Sequence, residues 1–303
     1  MTSPLQILRT TIDAEAALPV GAAAAALAEA IIGRHGDAVA AVLFYGSCLR
    51  RPDPIADDDP VFDFYLLVDD YRQIYPGSIA AFANAVLPPN VFYIEHPWRD
   101  RMLRAKYAVV ALRPFRDAMS PRAFHSYFWA RFAQPVRLLH ARDATARDVV
   151  LDSLADAVVT LLGRTAGLLG DNVAPATLWT RAFQETYRAE LRTETTDRAR
   201  LLYEADRERY DRLAAPALAI AGPAGSLRTA RAAWCLRRFV GKVLSVLRLT
   251  KSAFTFEGGV DYILWKIERH SGVKTTATAW QRRHPLLAAP SLAWRLYRRG
   301  AFR

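Results

Sequence analysis

The sequence has 303 residues, of which 52% are hydrophobic and 23% charged, a balance typical of a globular protein and not of a disordered chain. Its formal net charge of +11 favours a polyanionic partner such as a nucleotide, a nucleic acid or an anionic membrane surface. The two cysteines, Cys48 and Cys235, lie in no C-x-x-C or Cys/His pattern, which argues against a disulfide framework and a zinc site.

Charge is distributed unevenly along the sequence. Seven aspartates lie between positions 53 and 70, whereas region 228–303 has 16 Lys and Arg residues against three acidic ones. This separation indicates cation binding near the early cluster and polyanion binding by the late region. We expect no secretion signal, because acidic residues interrupt the N-terminal apolar pattern. No apolar run reaches the roughly 18 residues of a membrane span, so any membrane contact is expected to be peripheral.

In chain order, the apolar pattern first predicts a helix over 21–34 and a short strand over 38–45 that stops at Gly46-Ser47. The clearest strand covers 61–68, which is aromatic and branched apart from one acid. Further strands are predicted at 91–94 and 107–112. Together these elements predict an α+β fold with a small mixed sheet flanked by helices.

Beyond residue 120 the pattern becomes helical. Predicted helices cover 121–132 and 148–169, two more occupy 176–212, and an Ala/Pro/Gly connection follows at 214–225. A basic amphipathic helix is predicted over 231–248, followed by a loop at 251–259. These patterns predict three regions, namely a catalytic domain over 1–119, a helical domain over 120–226 and a basic C-terminal region over 227–303.

The pair Gly46-Ser47 and the strand residue Asp63 carry the main chemical signal. A strand ending in Gly-Ser presents backbone N–H groups and a hydroxyl that suit a triphosphate, although the same dipeptide is common in ordinary turns. Asp63 lies between Phe62 and Phe64, so it must face solvent, bind a partner or bind a metal ion. The combination resembles the DNA polymerase beta-like nucleotidyltransferase superfamily, in which carboxylates hold Mg²⁺ for nucleotidyl transfer.

The usual second acid of that superfamily is replaced here by Tyr65. Asp69 shares the strand face of Asp63 but would lie roughly 20 Å away at about 3.3 Å per residue. The second metal ligand must therefore come from elsewhere. Glu95, at the end of the next predicted strand, is the first candidate, and the loop Asp57-Asp58-Asp59 is the second.

Four ordered sequence blocks narrow the resemblance. They are Tyr45-Gly46-Ser47, Asp63-Phe64-Tyr65-Leu66-Leu67-Val68-Asp69-Asp70, Lys106-Tyr107-Ala108-Val109-Val110, and the segment from Tyr127 through Arg131 to Gln134-Pro135-Val136. Together they resemble the mitochondrial-type, peripheral phosphatidate cytidylyltransferases, also called CDP-diacylglycerol synthases. The sequence departs from that family at Ala108, Ala130 and Gln134, and the region after residue 259 has no counterpart.

This resemblance implies a function and roles for residues. The protein would transfer a cytidylyl group from CTP to phosphatidate with Mg²⁺, giving CDP-diacylglycerol and pyrophosphate in phospholipid biosynthesis. Tyr45, Gly46 and Ser47 would bind the nucleotide and Asp63 the metal, while Lys106 would neutralise phosphate charge. The fold would be a nucleotidyltransferase domain followed by a winged-helix-like helical domain. Its location would be the inner face of a membrane from the cytoplasm, or the matrix side in a mitochondrion.

The basic C-terminal region mixes tryptophans and arginines with apolar residues in a pattern typical of helices that bind in the lipid headgroup plane. The predicted membrane-binding residues are Arg237, Arg238, Lys242, Arg248, Lys251, Trp280 and Trp294. The competing interpretation is a core helix with snorkelling arginines.

Two other functions fit the sequence. One is a nucleotidyltransferase that acts on a small molecule or RNA, although recognised nucleic-acid modules are absent, which disfavours a nucleic-acid partner. The other is a catalytically silent nucleotidyltransferase-like binding protein, since a lone strand acid is also what loss of activity would leave.

Overall fold

A computed structural model describes residues 2–51, 60–75, 78–170, 173–190, 196–255, 258–271, 273 and 275–298. Within them the chain is α+β, with a mixed sheet between two groups of helices. The strands are β1 (Val39–Tyr45), β2 (Val61–Val68), β3 (Asn90–Trp98), β4 (Arg101–Ala111) and β5 (Arg137–Ala141). The first four confirm the strands predicted from the sequence.

The described strands form a five-stranded sheet in the order β3-β4-β2-β1-β5. β2 and β4 are parallel, whereas the β1–β2, β1–β5 and β3–β4 pairs are antiparallel. β5 is absent from the sequence prediction, and it lies beyond the domain boundary placed after residue 119. That boundary therefore cuts through the sheet.

Helices cover both faces of the sheet. Their bounds are α1 (Pro4–Ala16), α2 (Ala22–His35), α3 (Ser78–Val86), α4 (Leu112–Met119), α5 (Trp129–Phe132), α6 (Ala144–Ala166), α7 (Pro175–Ala189), α8 (Thr196–Ala205), α9 (Arg207–Ala221), α10 (Leu227–Thr255), α11 (Gly259–Ser271), α12 (Ala279–Arg283) and α13 (Pro285–Arg298). Within the described residues, no helix has the length and apolar character required to cross a membrane.

The side chains of β2 point alternately to the two faces of the sheet, and each face is covered by its own hydrophobic cluster. Phe62, Phe64 and Leu66 point into a cluster with the buried face of α2. Tyr65 and Leu67 point to the opposite face, into a larger cluster formed mainly by α1, α4 to α7 and α9. Asp63 shares this second face, since side chains alternate along a strand. The site thus lies where the sheet meets the helical layer.

Three predictions for the helical part are wrong. Residues 121–128 form turns instead of a helix, because tertiary hydrogen bonds hold this segment: the Phe124 carbonyl accepts from Arg237, and the Pro121 carbonyl from Arg164. The predicted connection 214–225 is helical to Ala221, where buried Ala214 and Ala217 pack within the core. The loop expected at 251–259 is largely helix, because α10 runs to Thr255 and α11 begins at Gly259.

Candidate active site

Four strands bring their polar and aromatic residues into one row across the sheet. Tyr45 on β1 pairs with Asp63 on β2, which pairs with Lys106 on β4, which in turn pairs with Tyr93 on β3. Because neighbouring strands lie about 4.8 Å apart, residues in one row have adjacent side chains on the same face. The structure therefore brings together Asp63 and Lys106, which were predicted from separate sequence blocks.

Gly46 lies directly against Asp63. It has φ +92°, a conformation that favours glycine, and a Cβ atom added there would lie 3.2 Å from the Asp63 Oδ2. Glycine is thus required both by the backbone turn and by the nearby carboxylate. Ser47 then precedes a single 3₁₀ turn, Cys48–Arg50, so β1 stops at Gly46-Ser47 as the sequence predicted.

Lys106 is the nearest cation to Asp63 on the sheet. Its Nζ lies 3.5 Å from Asp63 Oδ1. Burial lowers the pKa of Lys106, but the Asp63 carboxylate and the Tyr262 hydroxyl outweigh it, so the pKa lies above its usual value. The Lys106 amine therefore remains protonated at neutral pH and contributes a fixed positive charge next to Asp63.

A polar cleft of about 330 Å³ opens over Gly46 and Asp63. Its lining residues come from the β1 end, β2, α5, α7 and α8, and they are Tyr45, Gly46, Ser47, Arg50, Asp63, Arg131, Gln134, Pro135, Tyr187 and Arg198. Three arginines thus face one carboxylate. The excess of positive charge suits a ligand that carries several negative charges.

Arg131 is the most firmly held of these arginines. Its side chain donates to the Tyr127 carbonyl at 2.7 Å, lies over the Tyr127 ring at 4.3 Å, and forms an ion pair with Glu190 at 3.6 Å. Arg131 thus pairs with Glu190 and also lies in the cleft wall.

Glu95 does not approach Asp63. It pairs with Arg104 at 3.1 Å and accepts from the Tyr93 hydroxyl at 2.8 Å. Two strand spacings and two residues along the strand separate it from Asp63, which corresponds to roughly 12 Å between their Cα atoms. The structure does not bring Glu95 next to Asp63, because β3 is two strands from β2, and a metal ion shared by the two carboxylates stays a prediction.

The other acidic candidates have separate outcomes. Asp57, Asp58 and Asp59 lie outside the described residues. Asp70 accepts from the Arg72 backbone N–H at 2.9 Å and so caps the following turn. Asp69 pairs with Arg142 at 2.5 Å and is remote from the cleft.

Asp63 fits a magnesium ion as one member of a mixed ligand set. Among the described residues, no three Asp, Glu, His or Cys side chains form a metal-binding group. Mg²⁺, however, commonly takes one or two carboxylates and completes its coordination with substrate phosphates and water. Asp63 facing the cleft is compatible with that pattern.

The C-terminal region corrects part of the membrane prediction. Arg237 is only 1% exposed, and it donates to the Phe124 carbonyl and lies over the Trp234 ring. The prediction that Arg237 contacts lipid is therefore wrong, because α10 packs this face against the helical layer. Arg238 pairs with the buried Glu185 at 2.8 Å.

Two further basic residues of α10 are turned towards the sheet. Arg248 donates to the Pro88 carbonyl and lies 3.9 Å from the Tyr127 ring centroid, while Lys251 donates to the Leu87 and Pro89 carbonyls. These contacts hold α10 on the turn before β3, so the predicted lipid contacts of Arg248 and Lys251 are not seen. Lys242, Trp280 and Trp294 are exposed, as a surface role requires.

Sequence reasoning missed several residues at the site. Arg50 lies only three residues after Ser47, so its proximity to the motif was a signal that could have found it. Tyr187 and Arg198 come from α7 and α8, and no local pattern distinguishes them from other helix residues. The contact between Tyr262 and Lys106 likewise depends on how α11 folds back onto the sheet.

No protein-family model matches the chain, and no curated protein matches it significantly.

Proposed function

We propose that this protein transfers a cytidylyl group from CTP to phosphatidate, forming CDP-diacylglycerol and pyrophosphate. The observation that carries the proposal is the contact between Gly46 and Asp63 at the base of a cationic cleft. The motifs supply the substrate class through their resemblance to the peripheral cytidylyltransferases. A glycine turn beside a strand carboxylate is the arrangement that nucleotidyl transfer requires.

The proposed roles follow from the positions of the residues. The turn at Gly46 and Ser47 would hold the triphosphate through backbone N–H groups and the Ser47 hydroxyl, beside Tyr45. Asp63 would bind Mg²⁺, which neutralises phosphate charge and orients the phosphates when it is bound. A phosphatidate oxygen would bond to the α-phosphorus of CTP as the α-to-β phosphoanhydride bond breaks and pyrophosphate leaves.

The cations at the site would stabilise the negative charge of the substrates. Phosphoryl-type transfer depends mainly on positioning and electrostatic stabilisation, because the transferred group carries its charge on oxygens. Lys106 remains protonated beside Asp63, and Arg50, Arg131 and Arg198 line the cleft. These four groups suit two anionic substrates held together, a triphosphate and a phosphate monoester.

A membrane surface is the proposed source of the lipid substrate. The exposed large apolar residues of the C-terminal helices are Leu227, Leu236, Phe239, Val243, Val246, Leu247, Leu249, Ile263, Trp280, Leu287, Trp294 and Tyr297. With exposed Lys242 on α10, they support peripheral binding to an anionic bilayer. The proposed location is the inner face of such a membrane, reached from the cytoplasm or the mitochondrial matrix.

The test is pyrophosphate release by purified protein with Mg²⁺, each of the four nucleoside triphosphates, and phosphatidate vesicles. We expect release with CTP that depends on phosphatidate and falls at least about 10²-fold in Asp63→Asn, since the charge that binds the metal is lost. Asp69→Asn is the matched control, because Asp69 pairs with Arg142 away from the cleft.

Other outcomes identify the alternatives. Transfer to an RNA primer or to a soluble acceptor, without a phosphatidate requirement, would replace the lipid substrate with that acceptor. Failure to consume any nucleotide, or equal activity in Asp63→Asn and the parent, would overturn the enzyme assignment in favour of a silent binding protein.

A further inference from the structure

Helix α11 of the C-terminal region lies over the catalytic row of the sheet. Lys106 Nζ lies 5.2 Å from the centroid of the Tyr262 ring, within the range of a cation–π contact. Lys106 therefore has two partners, Asp63 on β2 and Tyr262 on α11. The sequence assigned this region to lipid binding and gave Tyr262 no role.

Close packing fixes α11 in this position. Gly258, just before the helix, has φ +77°, and a Cβ added there would lie 2.9 Å from the Tyr93 carbonyl oxygen. The Tyr262 ring contacts the Tyr93 ring at 5.4 Å between centroids, and Arg104 lies 5.2 Å from the Trp265 ring. Gly258, Tyr262 and Trp265 thus each contact a residue of β3 or β4 beside the site.

The chemistry of lysine explains why a second partner matters. An ammonium group on a flexible four-carbon stem has three donors and no preferred direction, so its position is set by what surrounds it. Asp63 fixes one direction, but that carboxylate is also the group proposed to bind the metal. The Tyr262 ring on α11 attracts the amine without competing for the metal or adding charge.

We propose that Tyr262 is a positioning residue for Lys106, so that α11 of the C-terminal region completes the catalytic centre. This inference rests on the proposed nucleotidyl transfer for its kinetic consequence. The contact between Tyr262 and Lys106 is itself independent of which acceptor the enzyme uses.

The first test is Tyr262→Leu, which removes the ring from the Lys106 amine. We expect kcat to fall about tenfold with KM for CTP changed less than twofold, since the lost contact positions a charge and does not bind the nucleotide directly. Tyr203→Leu is the matched control, because it removes a tyrosine ring that stacks on Tyr210 in the helical layer. Equal kcat in Tyr262→Leu and the parent would overturn the proposal.

A second measurement does not require activity. The rate of chemical acetylation at Lys106 at one fixed pH, followed by mass spectrometry, reports the accessibility of that amine. We expect Lys106 to be acetylated several-fold faster in Tyr262→Leu but not in Tyr203→Leu, because the ring no longer covers the amine. An unchanged rate would overturn the positioning role even if the parent proved inactive with CTP, so failure of the proposed function remains distinguishable.

A third variant keeps the Tyr262 ring but displaces the helix. Gly258→Ala places a methyl group against the Tyr93 carbonyl, which pushes α11 away from β3. We expect the same loss of kcat and the same change in Lys106 labelling as in Tyr262→Leu, with the folded core retained by circular dichroism. If Gly258→Ala leaves both readouts at the parent values, α11 does not complete the site.

Discussion

At the scale of single residues, the site depends on one glycine and one carboxylate. The Asp63 side chain lies against Gly46 so closely that no side chain fits between them, and Lys106 balances its charge from the next strand. Most of the geometry needed for phosphate chemistry is therefore set by backbone conformation. Small changes in the Gly46 turn should affect chemistry more than stability.

Replacing Gly46 with alanine tests whether the Gly46 turn affects activity more than stability. The left-handed backbone conformation costs roughly 1–2 kcal/mol for a residue with a Cβ, and the methyl group must also displace Asp63. Because a displacement of about 1 Å at a catalytic group can cost 10²-fold, we expect kcat to fall by about that factor in the pyrophosphate assay.

Gly36→Ala is the control for backbone strain. Gly36 also has positive φ, at +55°, but a Cβ there meets no atom within 4 Å. We expect a similar loss in thermal stability and normal activity. If Gly36→Ala lowers activity as much as Gly46→Ala does, the effect arises from general destabilisation and not from the contact with Asp63.

At the scale of elements, α2 and the sheet are joined by a partly buried histidine at the helix end. His35 Nε2 lies 2.9 Å from the Tyr107 hydroxyl, and its ring meets the Phe92 and Tyr107 rings edge-on. Burial, with a smaller effect from Arg34, lowers the pKa of His35 from 6.5 to about 4. The folded protein thus holds this ring neutral.

This shift predicts a pH dependence of folding. Between pH 6.5 and 4 the unfolded chain binds a proton at His35 that the folded protein does not, so stability should fall as the pH is lowered through this window. Each tenfold difference in proton affinity is worth about 1.4 kcal/mol, and because the ring is only partly buried, solvent screening keeps the loss from His35 below the roughly 3 kcal/mol of the full shift. Above pH 6.5 this contribution is fully present.

Urea unfolding of the parent and His35→Gln at pH 7, 5.5 and 4.5 measures the effect. The other titrating groups are the same in both proteins, so the difference between their stabilities isolates His35. We expect the gap between the proteins to narrow as the pH falls. Parallel stability curves would show that His35 is not held neutral by the fold.

At the scale of the whole molecule, the C-terminal region has two different faces. One face joins the core through Trp234, Arg237 and Arg248, and the other exposes Trp280, Trp294 and the apolar residues of α10. The face that joins the core agrees with the core-helix interpretation, whereas membrane binding by the exposed face stays a prediction. A bilayer on the exposed side would leave the contacts with the sheet intact.

A vesicle-binding assay distinguishes the roles of the two faces of the C-terminal region. Trp280→Ser with Trp294→Ser should weaken binding to anionic vesicles by at least about tenfold, because these exposed rings supply apolar area at the interface. Lys242→Met should weaken it about fivefold, since one basic residue near the surface is worth about 1 kcal/mol. Binding should also weaken with salt, which screens charges beyond about 8–10 Å.

Arg237→Met is the control from the same helix. Because Arg237 is buried, we expect its replacement to leave vesicle affinity unchanged. Co-sedimentation with vesicles measures all three variants. Loss of affinity in folded Arg237→Met, or parent-like affinity in the double tryptophan variant, would reverse the assignment of the faces.

The sequence by itself determined the local elements and the central motif. Strand β2 was predicted with its observed bounds, because its aromatic and branched residues favour a strand and the two aspartates after it mark its end. Gly46-Ser47 and Asp63 were also found, since a lone acid in an apolar strand and a glycine at a strand end each stand out locally.

Only the tertiary structure decided which distant residues meet. β5 was missed because its five residues carry no strong pattern and are stabilised by pairing with β1. The distance between Glu95 and Asp63 could not be predicted, because sequence order does not reveal that β4 separates β3 from β2. Arg237 faces the core and Tyr262 reaches Lys106 because long-range packing determines which face of each helix is buried. Local periodicity does not encode that packing.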